Sequence, residues 1–338
     1  MALVKYNLNG NTIEYDDSEF EILTNGHNKE KYLHYIGNGK NITNPKGNTS
    51  CYAMFQYYEG AELDLTNFDT QNITNMSFMF FYCNNLKTLY LENFNTKNVM
   101  DMSYMFSHCY NLIQIALYNF NTHNVSDMSF MFAHCKSLSE LDLSSFDTSN
   151  VLTMECMFCN CENLKSLNIS RLNTKKVESM CYMFEYCTSL KTLNLSNFNT
   201  SNVADMSFMF HSCMILEHLS LSRFNTNIVT DMEGMFCNCI KLKTLDISKF
   251  DTSNVMYMEN MFKKCKSLKE LDISSFYIGN TKILNDIFWD CKSLETLKVN
   301  SDFFQFFLDH KKFLFEDCEN VNIIPVTKID RTINDLFY

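Results

Sequence analysis

Phenylalanine returns every 26 residues, at Phe68, Phe94, Phe120 and Phe146, then, after Leu172 in the same place, at Phe198, Phe224, Phe250 and Phe276. A cysteine keeps the same interval at Cys83, Cys109, Cys135, Cys161, Cys187, Cys213, Cys239, Cys265 and Cys291. A fixed period of this length argues against a conventional globular topology. Each unit is one supersecondary element that buries its apolar face only against its neighbours in a stack. Length alone would divide 338 residues into two or three domains, but the repeat overrides that prior.

The unit reads F-[DN]-T-x-N-V-x-x-M-x-x-M-F-x-x-C-x-x-L-x-x-L-x-L-S-x. Its second half, as in Leu190-Lys191-Thr192-Leu193-Asn194-Leu195, ends in the apolar–polar alternation of a strand. Its first half spaces Met206, Met209, Phe210 and Cys213 at i, i+3, i+4 and i+7, which predicts one face of a short helix with Asp205 as its N-cap. Neighbouring strands then pair in parallel, and the core is a set of ladders of like residues. A threonine column from Thr70 to Thr252 and an asparagine column through Asn98, Asn124 and Asn150 are predicted to bond to the backbone of neighbouring coils. Lys176 and Ile228 interrupt the asparagines.

The segment Asn197–Phe210, N-F-N-T-S-N-V-A-D-M-S-F-M-F, closely resembles the repeats of the BspA-like leucine-rich-repeat family, and the likeness recurs from about Leu63 to Val299. The resemblance implies an α/β repeat protein: a leucine-rich-repeat solenoid with one parallel sheet, short helices on the other side and capped ends. It also implies the company of bacterial surface proteins and of proteins of mycoplasmas and some protists, which are mostly adhesins or uncharacterised. Three regions follow: an N-terminal β-hairpin cap with a degenerate first coil over 1–58, nine repeats over 59–300, and an aromatic-rich C-terminal cap over 301–338. In the first, Asn9-Gly10 and Asn25-Gly26 predict hairpin turns. In the last, Phe303, Phe304, Phe306, Phe307, Phe313, Leu314 and Phe315 would close the core.

Composition narrows the function classes. A net charge of −11 argues against direct nucleic-acid binding, and the run Lys263, Lys264, Lys266 and Lys269 reads as a solvated face. The N-terminus lacks the apolar core of a secretory signal, and no stretch approaches the ~18 apolar residues of a membrane span. The expectation is a cytoplasmic protein, of the producing cell or its host, or a surface protein if an export signal is supplied elsewhere. Fifteen cysteines raise disulfide and metal readings. One thiol per coil at a core position points to reduced packing residues. Cys156, Cys159 and Cys161, with an echo at Cys237 and Cys239, have a spacing that can hold zinc, but the inward ladder claims Cys161 and Cys239 and no second pair follows. No metal or cofactor is expected.

Catalytic signatures do not occur: there is no G-x-S-x-G, H-E-x-x-H, Walker loop or dinucleotide glycine pattern. His108, His134, His211 and His218 sit at variable positions with no evident nucleophile or acid beside them. The expectation is therefore a non-enzymatic protein-binding solenoid, as an inhibitor that occludes an enzyme or defence complex or, alternatively, as an adhesin. Two faces compete for the partner. If the methionine ladder points inward, an outward aromatic stripe comprises Phe78, Tyr82, Tyr104, His108, Phe130, His134, Tyr182, Tyr186 and Phe208, fading at Gly234, Asn238, Asn260 and Lys264. The rival is the strand face, with Tyr90, Glu140, Asp142, Asn168, Asn194, His218, Asp246, Glu270 and Asp272.

Overall fold

The structure is a computed structural model that describes residues 3–282, 284–318 and 321–327. The chain forms two compact units, Met1–Val177 with Tyr186–Ser189, and Glu178–Glu185 with Leu190–Tyr338.

The first unit opens with two antiparallel hairpins. Strand β1 (Leu3–Leu8) pairs with β2 (Asn11–Asp16) through a tight turn in which Asn9 and Gly10 both take positive φ, 50° and 89°, as a right-twisted two-residue hairpin requires. Strand β3 (Phe20–Thr24) pairs with β4 (Lys31–Tyr35) across a longer loop that contains Asn25-Gly26 and is closed by the Asn25 N–H on the Glu30 carbonyl. The coils follow. Their strands are two or three residues long and pair in parallel at the repeat interval: β5 (Thr88–Leu89) with β6 (Gln114–Ile115), and β7 (Glu140–Asp142) with β8 (Ser166–Asn168).

The second unit continues the pattern with β9 (His218–Ser220) beside β10 (Thr244–Asp246) and β11 (Glu270–Ile273) beside β12 (Thr296–Asn300). Two short helices, α1 (Phe304–Asp309) and α2 (Lys311–Leu314), then bury Phe307 and Leu314. Strand β13 (Asn322–Val326) adds a further parallel partner to β12. Phe315 stacks on Phe288 at 5.0 Å and so covers the last phenylalanine ladder, whereas Phe313 points to solvent.

The helices expected within the repeats are replaced by chains of turns; among the described residues, helix occurs only at α1, α2 and a 3-10 turn at Ser301–Phe303. Backbone donors explain why. The N–H groups of Met76, Phe78, Phe80 and Tyr82 donate to Asp101, Ser103, Met105 and Ser107 of the next coil, while Met79, Phe81 and Cys83 donate three residues back within their own coil. An isolated helix of eight residues is too short to pay its nucleation cost in water. Sending alternate donors across the stack satisfies the same groups and ties coil to coil. The inward set is unchanged: Met76, Met79, Phe80 and Cys83 are completely buried. Asp205, read as a helix cap, instead caps a turn, accepting the Ser207 N–H at 2.8 Å.

Polar columns complete the core. Thr70, Thr96, Thr148, Thr200, Thr226 and Thr252 are buried, and each both donates to a carbonyl and accepts an N–H of one residue in the next coil, as with Thr200 and Asn225 at 2.8 and 2.8 Å. The asparagine column lies at the surface. Asn98, Asn124 and Asn150 donate to carbonyls of the preceding coil, and where Lys176 interrupts the column its Nζ donates to Asn150 Oδ1 at 2.7 Å.

Each ladder cysteine donates its thiol to a phenylalanine carbonyl of an adjacent coil, as Cys135 does to Phe106 at 3.2 Å and Cys265 to Phe236 at 3.2 Å. All fifteen cysteines are free of disulfides. Burial pushes the thiols of Cys51, Cys161 and Cys265 well above the ordinary range, which keeps them un-ionised and inert.

Candidate functional site

The aromatic stripe resolves into stacked columns. In the first unit Tyr104 lies between Phe78 and Phe130, with ring centroids 4.4 Å away on both sides and ring planes within 8° of parallel. Beside it, His108 lies between Tyr82 at 4.2 Å and His134 at 4.1 Å. In the second unit Tyr182 stacks on Phe208 at 4.9 Å. These rings are half-buried, and of the stripe residues only Tyr186 is exposed. The next coil of the first unit breaks the columns, with buried Cys156 and half-buried Asn160 in place of rings.

Every stripe position takes left-handed backbone, from Phe208 at φ 54° to His108 at φ 63°. An L side chain there costs roughly 1 kcal/mol or more. Stacking offsets that cost and explains why rings persist. Gly234 is the conformationally easy choice at the same position, with φ 55°, and a Cβ there would come within 2.5 Å of the Phe208 ring, so that ring lies over the glycine. The fading at Gly234, Asn238 and Asn260 therefore substitutes residues that accept positive φ.

Burial leaves His108 with little hydration, and the neighbouring His134 and Lys136 repel a second positive charge. Its imidazole is held down to about 4. His211 behaves oppositely. Burial disfavours its charge, but hydrogen bonds and charge from Cys237 and Glu185 outweigh that and lift it to about 9. The sequence reading saw no acid or nucleophile near this histidine; the stack supplies both, because Glu185, His211 and Cys237 share one position in three successive coils.

The strand face is more open. Glu140, Asp142, Asn168, Asn194, His218, Asp246 and Glu270 point to solvent, and Asp272 is half-buried. Neighbouring coils are linked across it by Asn168 Nδ2 on Asp142 Oδ1 at 2.9 Å and by His218 Nδ1 with Thr244 Oγ1 at 2.8 Å. Tyr90 is 67% exposed, and Tyr118, which the sequence reading did not single out, is 69% exposed. Tyr90 directly follows β5, whereas Tyr118 lies in the turn three residues after β6, where the in–out alternation from Gln114 onward still directs it outward, and that alternation is the signal that would have found it. An open groove of about 670 Å³ beside Tyr90 is lined by Asn38, Lys40, Tyr58, Glu62 and Thr88.

Cys156, Cys159 and Cys161 are all buried rather than partly on a surface, and Cys161 donates to the Phe132 carbonyl. Among the described residues no group of three or more histidine, cysteine or acidic side chains is placed to hold a metal ion. No helix among them is long and apolar enough to cross a membrane.

Comparison with known proteins finds a family described as "Mycoplasma protein of unknown function, DUF285", which matches residues 49–142, 135–220 and 214–328 in turn. No curated protein matches the chain. Among solved structures, the crystal structure of a TLR13–ssRNA13 complex is similar at 14% identity, with a TM-score of 0.26, over 76% of this chain and 50% of that one. The chain thus spans half the length of that solved chain.

Proposed function

We propose that this chain, which belongs to the DUF285 family, is a non-enzymatic protein-binding solenoid whose partner docks on the strand face of the first unit. The observation that carries this reading is the pair of largely exposed tyrosines, Tyr90 and Tyr118, on a face otherwise lined by polar and acidic groups. Tyrosine supplies large, rigid, amphipathic contact area at low entropic cost and is enriched at interface centres. The groove beside Tyr90 offers a concave anchor site, and Glu140 and Asp142 favour a partner with basic groups around an apolar centre.

The ring columns act in this reading as scaffold, because Tyr104 and His108 already spend both ring faces on their neighbours. They remain the rival face. Partner binding would take the form of an inhibitor that occludes an enzyme or defence complex or, as the resemblance of the repeat to BspA-like proteins favours, of an adhesin. Affinity capture from the producing cell and its host, each with wild-type chain and with Tyr90→Ala/Tyr118→Ala, tests the reading. Retention by the wild type and loss by the double variant support the strand face. Equal retention by both removes it, and the place of the captured partner, a cytoplasmic enzyme or complex as against a cell-surface protein, separates the inhibitor from the adhesin.

A further inference from the structure

The turn columns of the second unit assemble three side chains that a binding solenoid does not require. Glu185, His211 and Cys237 lie one coil apart at the same repeat position. His211 is in the middle, with its Nδ1 2.8 Å from Glu185 Oε1, and the next residue, Ser212, donates its N–H to the Cys237 carbonyl at 2.8 Å, which sets the coil of Cys237 against that of the imidazole, close enough for Cys237 to raise its proton affinity. The Phe208 ring packs edge-on against the imidazole at 5.7 Å and limits its rotation. Of the fifteen cysteines, all are buried except Cys237, which is half-exposed.

A thiol beside an imidazole that is itself oriented by a carboxylate is the arrangement that yields a nucleophilic thiolate. We propose that Cys237, oriented by His211 and Glu185, is a nucleophilic thiol that forms mixed disulfides with low-molecular-weight disulfides. Acyl transfer is the less suitable chemistry here, because a tetrahedral intermediate needs backbone donors aimed at its oxyanion. The N–H groups around Cys237 are engaged: Ser212 bonds to the Cys237 carbonyl at 2.8 Å, Cys237 to Gly234 at 2.9 Å, and Asn238 to Lys263 at 2.7 Å. Disulfide exchange spreads its developing charge over three sulfurs and needs no such hole.

The step balances without another reagent. At neutral pH the His211 imidazole already carries its proton, so the Cys237 proton passes to solvent, and the thiolate, held beside the imidazolium, attacks one sulfur of the disulfide. A Cys237–sulfur bond forms as the original sulfur–sulfur bond breaks, and the departing thiolate takes up a proton from solvent. Cys237 is oxidised and the leaving sulfur is reduced. Cys239, two residues away, is completely buried and donates to the Phe210 carbonyl at 3.1 Å. It does not resolve the adduct, so the mixed disulfide persists.

The test treats the full chain at neutral pH with oxidised glutathione, follows the rate of adduct formation and locates adducts by peptide mass spectrometry. The expected result is one adduct per chain, at Cys237, absent in Cys237→Ser and formed about tenfold more slowly in His211→Gln while the fold is retained by circular dichroism. Glu185→Gln slows the reaction less, and the double variant is no slower than His211→Gln alone, because Glu185 acts through the imidazole. Equal rates in wild type and His211→Gln, or a Cys237 that stays reduced, overturn the proposal. If His211→Gln does not fold, Glu185→Gln carries the comparison, and an unchanged rate in that variant overturns it.

Discussion

Thr96 clasps Asn121 in the next coil: its hydroxyl donates to the Asn121 carbonyl at 2.9 Å and accepts the Asn121 N–H at 2.8 Å. One buried side chain thus satisfies both the backbone donor and the backbone acceptor of a residue in the next coil, and its own hydroxyl with them. Thr96→Val keeps the shape and removes both bonds, which should cost about 2 kcal/mol in denaturant unfolding. Thr96→Ser keeps the hydroxyl and should cost less. Equal stability of the two variants would show that the clasp contributes nothing.

The tyrosine between two rings gives a second test. Tyr104→Ala removes two stacking contacts at 4.4 Å and leaves a residue other than glycine at φ 58°. We expect a loss of about 2–4 kcal/mol and unchanged affinity for the partner. Tyr104→Gly should lose less, because glycine accepts that backbone. If Tyr104→Ala weakens binding at constant melting temperature, the ring columns are the interface.

Much of this was legible in the sequence, and the parts that were not share a cause. Met76, Met79, Phe80 and Cys83 face inward as their spacing implies, because spacing reports which side of a coil is buried. It does not report where the N–H groups go, and so a turn chain passes for a helix. Asn238 and Asn260 carried the missing information, since asparagine tolerates positive φ, but next to the bulkier Phe78 and Tyr104 they read as the end of a binding stripe. Glu185, His211 and Cys237 were overlooked for a related reason: they are neighbours across coils and far apart along the chain. The strand face was legible because in–out alternation sets exposure directly, as Glu140, Leu141 and Asp142 show.

The two perturbed histidines predict opposite pH responses. His108 titrates at about 4 when folded against an ordinary 6.5, so between those values the unfolded chain binds more protons and stability falls as pH drops from 6.5 towards 4. His211 titrates at about 9 when folded, so its contribution is complete below 6.5 and is lost as pH rises through 9. Melting curves should show that His108→Gln removes part of the acid loss, while His211→Gln is more destabilising at pH 6 than at pH 10. Parallel pH profiles for both variants and the wild type would contradict these assignments.

The thiols allow a direct count. Native protein should present Cys237 to a thiol reagent and withhold Cys83, Cys109, Cys135 and the rest of the buried ladder until denatured. Reduction should leave electrophoretic mobility unchanged. Native disulfides along the ladder would be incompatible with thiols that donate to carbonyls such as Phe80 and Phe106.

The strand face of the first unit as docking surface is tested most directly by hydrogen–deuterium exchange of the chain with and without its captured partner. The account predicts added protection in peptides spanning Thr88–Tyr90, Gln114–Tyr118 and Glu140–Asp142, with little change across Phe78–Tyr82 and Tyr104–His108. Protection confined to those ring-bearing turns, with the strand peptides exchanging as in the free chain, would contradict it.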